Sequence, residues 1–171
     1  MRKTVFEGRM VNLIVEDVTL PNGVITRLEF MTHPGASAVV PLHDDDTITI
    51  LRQYRHAVGQ YLWEVPAGKL DKKGEDPLAC AKRELAEEAG LIAKEWTKLG
   101  SIYTTPGFCD EIIHLYLARS LESVEQHLER DEVIEVHRMT LAEALAKIPT
   151  EEIRDTKTVG ALLAAARLLG K

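Results

Sequence analysis

The feature that most constrains this chain is a single short helix set in the middle of a strand-patterned sequence. Asp76 is a good N-cap, Pro77 suits the first helical position and Gly90 suits the C-terminal stop, so the spacing predicts a helix over about residues 77–89. At ~100° per residue, Leu78, Ala81, Leu85 and Ala89 gather on one side and Glu84, Glu87 and Glu88 on another. The apolar side must face a sheet, and its alanines let the helix approach that sheet closely. Glu84 neighbours Glu87 and Glu88 at i,i+3 and i,i+4, where exposed like charges cost a helix about 0.2–0.5 kcal/mol per pair. Two readings fit. One is a solvated acidic face, eased by Arg83 reaching Glu87 one turn on. The other is a set of hard oxygen ligands for Mg²⁺ or Mn²⁺, whose charge would relieve the repulsion.

Strand patterns surround this helix. Val11, Leu13 and Val15 recur at period two, as do Val24, Thr26, Leu28 and Phe30 after a Pro21-Asn22-Gly23 turn, which predicts a hairpin. Residues 36–42 and 47–51 read as a second apolar pair across the Asp44-Asp45-Asp46 turn. Residues 61–65 form a short aromatic and β-branched run ended by Pro66-Ala67-Gly68. Residues 99–104, 112–118 and 133–136 read as further strands. Thr140 and Glu143 make a capping-box pattern for a helix at about 141–147, and a terminal helix carries Val159, Leu162, Leu163 and Ala166 at helical spacing. The arrangement is α+β in one domain, since no repeat, low-complexity tract or linker divides the chain.

Composition narrows the function classes. At 171 residues the chain can bury roughly 70% of its unfolded surface without a staple. Cys80 and Cys109 form no CxxC pair, so they read as reduced thiols, and the six histidines are scattered with none at ligand spacing. Trp63 and Trp96 are read as packing residues. A net charge of −6 opposes nucleic-acid phosphates, yet an acidic protein still handles a phosphate compound when divalent cations lie between. Basic residues at the start meet Glu7 before any apolar stretch develops, and no run approaches ~18 apolar residues. The expectation is a cytoplasmic protein, neither secreted nor membrane-spanning, with no nucleic-acid partner.

Read whole, Gly68-Lys69-Leu70-Asp71-Lys72-Lys73-Gly74-Glu75, seven residues, then Arg83-Glu84-Leu85-Ala86-Glu87-Glu88-Ala89-Gly90-Leu91 resembles the Nudix hydrolase signature. Six residues separate Gly68 from Glu75, one more than the family pattern, which leaves the role of Gly68 and the loop geometry open. Further stretches resemble the ADP-ribose pyrophosphatases: Leu62-Trp63-Glu64-Val65-Pro66-Ala67-Gly68 preceded by Arg52-Gln53-Tyr54-Arg55, then Thr105-Pro106-Gly107-Phe108-Cys109-Asp110-Glu111, with His33-Pro34-Gly35-Ala36 and Asp155-Thr156-Lys157-Thr158 at either end.

The resemblance implies a Nudix-like α/β/α sandwich with a mixed central sheet and an N-terminal antiparallel strand region. Residues 1–171 would form one Nudix domain, with strands over about 1–35 contacting the partner of a homodimer and a catalytic core over about 36–171. It implies hydrolysis of a small-molecule nucleoside diphosphate, with ADP-ribose giving AMP and ribose 5-phosphate, and Mg²⁺ or Mn²⁺ as cofactor. Glu84 and Glu88 are the leading metal ligands, with Glu87 and the Ala67 carbonyl completing the set. Glu87 and Glu88 thereby enter catalysis, and the general base is Glu132 or, second, Glu111. Arg83 would orient Glu87. Arg55, Pro106, Gly107 and Glu111 are candidate substrate contacts. Glu64 is either a substrate contact or the owner of an interior hydrogen bond. Two alternatives remain: another nucleoside diphosphate sugar or dinucleotide as substrate, and a non-catalytic nucleotide-sensing module.

Overall fold

The computed structural model describes residues 1–9, 11–70 and 74–171. Its N-terminal part is an antiparallel sheet of β1 (Arg2–Glu7), β2 (Asn12–Thr19) and β3 (Ile25–Thr32), in the order β1-β2-β3. The predicted hairpin is the β2–β3 pair, in register from Asn12 opposite Thr32 to Thr19 opposite Ile25. This sheet leaves Val5, Phe6 and Ile25 exposed.

The remainder is built on two further sheets. One is mixed, in the order β7-β4-β9-β8, from β4 (Ala36–Pro41), β7 (Ala67–Lys69), β8 (Leu91–Tyr103) and β9 (Ile112–Ser123). The other is antiparallel, in the order β10-β5-β6, from β5 (Thr47–Arg55), β6 (Gln60–Glu64) and β10 (Ile134–Thr140). The two apolar runs around the Asp44–Asp46 turn are thus both strands, but not a hairpin. They share only a bridge from Leu42 to Ile48, and β4 pairs instead in parallel with β9. The reason is visible in β4 itself, all six of whose residues are buried. A strand covered on both faces belongs inside a sheet with helices on either side.

Alternation along β4 and β9 feeds two cores. Ala36, Ala38 and Val40 with Ile113, Leu115 and Leu117 pack with α2 (Leu141–Ala146) and α3 (Thr156–Leu169). Val39 with Tyr116 and Ala118 packs with Ala81, Leu85 and Ala89 of α1 (Pro77–Ala89). The mixed sheet is therefore sandwiched between α1 and the α2/α3 pair. Helix α1 has the predicted bounds: Asp76 accepts from the Leu78 and Ala79 amides at 3.0 Å, and Gly90 closes it in the left-handed region at φ 63°. The capping box of α2 is formed between Thr140 and Glu143. In α3 the buried face is Thr158, Ala161, Leu162, Ala165 and Ala166, whereas Leu163 is half exposed. Trp63 and Trp96 pack against the two cores, and both cysteines are free and buried. Among the described residues, no helix is long and apolar enough to cross a membrane.

Candidate active site

The acidic side of α1 is not a solvated face. Glu84 and Glu88 are 7% and 3% exposed, and of the three acids only Glu87 keeps substantial contact with water. Burial has a cause one layer away. The chain leaving β6 crosses α1 as Pro66 to Lys69, and the Ala67 amide donates to Glu88 Oε2 at 2.8 Å. Gly68 lies so close to the helix that a Cβ there would fall inside the Glu84 carboxylate. Glycine at 68 is thus a spatial requirement of Glu84 rather than a turn requirement. The extra residue expected before Glu75 falls at 71–73, outside the described residues.

Arg83 does more than reach Glu87. Its Nη1 donates to Glu84 Oε1 at 2.5 Å and to Glu87 Oε2 at 3.0 Å, its Nε to Glu75 at 3.3 Å, and its Nη2 to the Lys69 carbonyl at 3.1 Å. One guanidinium so ties two of the acids to the crossing loop. Cys80 supports the same loop from below, its thiol directed at the Gly68 and Lys69 carbonyls at 3.4 and 3.3 Å. Burial first, then the nearby Glu84 charge, pushes this thiol up to about 11, so it remains a neutral donor.

A second loop closes over the far end of the helix. Val124 donates to the Gly90 carbonyl at 2.9 Å, His127 N to Glu87 O at 3.0 Å and Gln126 Nε2 to Glu88 O at 2.5 Å, satisfying carbonyls that a helix end leaves unpaired. The same loop carries Glu132, whose Oε2 accepts the Glu129 amide at 2.7 Å. Burial raises Glu84 to about 7 and Glu88 to about 8, and the Glu132 charge adds to both shifts. The Glu132 charge is therefore close enough to be felt by both buried acids.

On the side of the antiparallel sheet, Arg55 closes β5 and forms a bidentate pair with Glu64 at 2.8 and 2.6 Å. Lys157 of α3 also donates to Glu64 Oε2. Glu64 is 1% exposed, and burial opposes its charge. Arg55 and Lys157 outweigh that and hold its carboxyl below the usual range. Of the two roles left open for Glu64, its geometry is that of interior hydrogen bonding. The Arg55 and Lys157 charges both act on this corner of the site, Arg55 being coupled to Glu88 and Glu88 to Lys157.

Pro106, Gly107 and Glu111 lie between β8 and β9. Their loop is sewn to the N-terminal sheet by Met31 N to Phe108 O at 2.7 Å and His33 N to Asp110 Oδ1 at 2.8 Å. Glu111 accepts from Thr104 Oγ1 at 2.8 Å and lies 3.3 Å from His33 Nδ1. Among the described residues, no hydrogen bond or ion pair joins Glu111 to Glu84, Glu88 or Glu132. The sequence marks Glu75 and Lys157 only as members of the family-like stretches, with no role of their own, and does not mark Gln126. Asp155 ahead of a helical run is an N-cap signal that would have placed Lys157 in the first turn of α3, but nothing local points to Glu64 as its partner.

The donor set fits a hard divalent cation. Glu84 and Glu88 are buried beside Glu87, with one arginine among the three carboxylates, so the cluster has more acids than cations in a poorly solvated place. Among the described residues no three His, Cys, Asp or Glu side chains alone form a ready metal cage. Mg²⁺ needs none, since it keeps waters and takes substrate oxygens to complete its shell.

The chain is similar to known proteins along most of its length. Residues 31–159 match the NUDIX domain. Over 163 residues the chain is 43% identical to an ADP-ribose pyrophosphatase of Bacillus subtilis (strain 168), covering 94% of this chain and 88% of that protein. It is 45% identical over 157 residues to a methanol dehydrogenase activator of Bacillus methanolicus, covering 91% and 84%. Among solved structures, an ADP compounds hydrolase superposes with a TM-score of 0.86 at 24% identity, covering 99% of this chain and 92% of that one, which speaks for the fold.

Proposed function

Because this chain belongs to the Nudix family and is a Nudix pyrophosphatase, we propose that it hydrolyses ADP-ribose to AMP and ribose 5-phosphate with Mg²⁺, or Mn²⁺, as cofactor. The observation that carries this reading is the burial of Glu84 and Glu88 against the Pro66–Lys69 crossing. Carboxylates kept in such surroundings need a counter-charge, and a diphosphate bridged by cations brings its own anionic oxygens to share it. When bound, the cation neutralises the diphosphate and lowers the pKa of an attacking water.

The chain's own residues divide the remaining work. Glu84, Glu88, Glu87 and the Ala67 carbonyl would hold the cation. Arg83 keeps Glu84 and Glu87 in place from behind. Glu132 accepts the water's proton, its carboxylate aimed by the Glu129 amide. Arg55, its Nε and Nη2 held by Glu64, offers its outer Nη1 edge to a phosphate and fixes the substrate. Pro106, Gly107 and Glu111 line the approach to the leaving sugar. Residues 1–35 form a dimerisation sheet within one Nudix domain, their exposed Val5, Phe6 and Ile25 supporting a second copy of the chain there.

The test is a panel of ADP-ribose, NADH and sugar nucleotides incubated with the protein in Mg²⁺, with product esters identified. Formation of AMP and ribose 5-phosphate, lost with chelator and in Glu84→Gln, is the expected result. Intact ADP-ribose beside a hydrolysed sugar nucleotide would move the substrate assignment, and tight binding without product would replace catalysis by sensing.

A further inference from the structure

Lys157 lies in the first turn of α3, and its side chain is only 11% exposed. A buried lysine must be paired, and this one is paired twice: to Glu64 Oε2, and to Asp155 Oδ2 at 3.1 Å. Asp155 is already committed to its own helix, accepting from the Thr158 amide at 3.0 Å and the Thr158 hydroxyl at 2.6 Å. A third link returns to the same corner, because the Val65 amide donates to Thr158 Oγ1 at 3.0 Å. The α3 N-terminus is therefore bolted to the end of β6 by a side chain on each side of the Glu64–Val65 junction.

The far end of the chain of contacts is different in kind. Arg55 spends its Nε and Nη2 on the Glu64 fork, while its side chain is 40% exposed. Among the described residues its Nη1 takes no hydrogen bond. A carboxylate held only by one guanidinium can still turn about its last torsion and carry the fork with it. A second cation on Oε2, reaching from another element, fixes the plane of Glu64 and with it the plane of Arg55. We propose that Lys157 is a positioning residue for substrate: it clamps Glu64 from α3, and Glu64 thereby holds Arg55 with its outer edge turned to the diphosphate. This rests on the reading of Arg55 as a phosphate contact given above.

A double-mutant cycle on the full-length protein tests it, read in two ways: KM and kcat for ADP-ribose in Mg²⁺, and calorimetric binding of the α,β-methylene analogue of ADP-ribose. Lys157→Met raises KM and the analogue's Kd about tenfold and leaves kcat within about twofold, the pattern of a lost grip common to ground and transition states. Lys157→Arg, which restores a cation, recovers most of that loss. In an Arg55→Ala background, at Mg²⁺ high enough to saturate the site and so mask the Lys157 charge acting on Glu88, Lys157→Met changes neither constant further, because its route through Glu64 and Arg55 is gone. Should the methionine variant fail to fold, Lys157→Gln, which keeps a donor and loses the charge, enters the same cycle. An equal loss in both backgrounds overturns the relay while leaving Arg55 as a substrate contact. An unchanged KM and Kd in Arg55→Ala overturns both the relay and the phosphate-contact reading. No binding of the analogue by the wild-type protein overturns the proposed substrate together with the relay.

Discussion

The buried acids place catalysis and stability in opposition, and Glu88 is where the opposition is measurable. Burial, reinforced by the Glu84 and Glu132 charges, raises its pKa from 4.5 to about 8. An acid raised in this way keeps its proton in the folded state over a range where the unfolded chain has released it. Stability of the metal-free protein must therefore fall as pH climbs from about 4.5 to about 8. At ~1.4 kcal/mol per unit, a shift of this size reaches ~5 kcal/mol once pH 8 is passed. Glu88→Gln removes that term. The glutamine oxygen can still accept the Ala67 amide, but its own NH₂ enters a buried position without an assigned partner, costing roughly 2 kcal/mol. The balance is ~2–3 kcal/mol in favour of the variant at pH 8, or about 5–10 °C in melting temperature for a domain of this size.

Near pH 5 the order reverses, because the wild-type carboxyl is then mostly protonated in the fold and only the amide cost remains. The assay is thermal unfolding followed by circular dichroism in excess chelator, at both pH values, for the wild-type protein and Glu88→Gln. Adding Mg²⁺ should raise the wild-type melting temperature at pH 8 and leave the variant's nearly unmoved. A variant that melts at or below the wild-type temperature at pH 8 in chelator would refute the claim that Glu88 is a strained, poorly compensated charge.

Two further outcomes follow from the same geometry. Gly68→Ala puts a methyl group into the Glu84 carboxylate, so hydrolysis should fall by roughly two orders of magnitude or more while far-ultraviolet dichroism stays native. Unchanged turnover would show that Glu84 can move without cost. Glu132→Gln should lower kcat by roughly 10²–10³ with little change in KM, whereas Glu111→Gln should act mainly on KM. A larger kcat loss at Glu111 would exchange their roles.

Local chemistry was legible where a few neighbouring residues decide the outcome. Asp76, Pro77 and Gly90 are enough to bound α1, because caps act over one turn, and Thr140 with Glu143 did the same for α2. Pairing across long separations was not legible. Strand β4 reads as half of a hairpin with β5, yet its partner β9 lies far downstream, and nothing within residues 36–41 distinguishes the two choices except a run that is apolar but for Ser37. The acids on α1 had the same limit. Their spacing is equally good for a wet face and for a buried cluster, and only the crossing of Pro66 to Lys69 over Glu84 and Glu88 decides between them. Lys157 and Glu64 are 93 residues apart, and a contact of that range leaves no periodic trace.

These long-range contacts also explain why the site has a definite shape. Its parts come from three separately held units: α1 with β7 at the edge of the mixed sheet, Arg55 and Glu64 at the ends of β5 and β6 in the antiparallel sheet, and Lys157 on α3. Val39 and Leu51 join the first pair of units in the core beneath α1, while Ile48, Ile50, Val65 and Leu162 join the second pair to the third in the opposite core. A volume change in either core would thus shift the acids against the arginine before it unfolded the protein. Conservative substitutions at Val39 and Leu51, which span the junction, should then lower kcat by more than the accompanying fall in melting temperature accounts for.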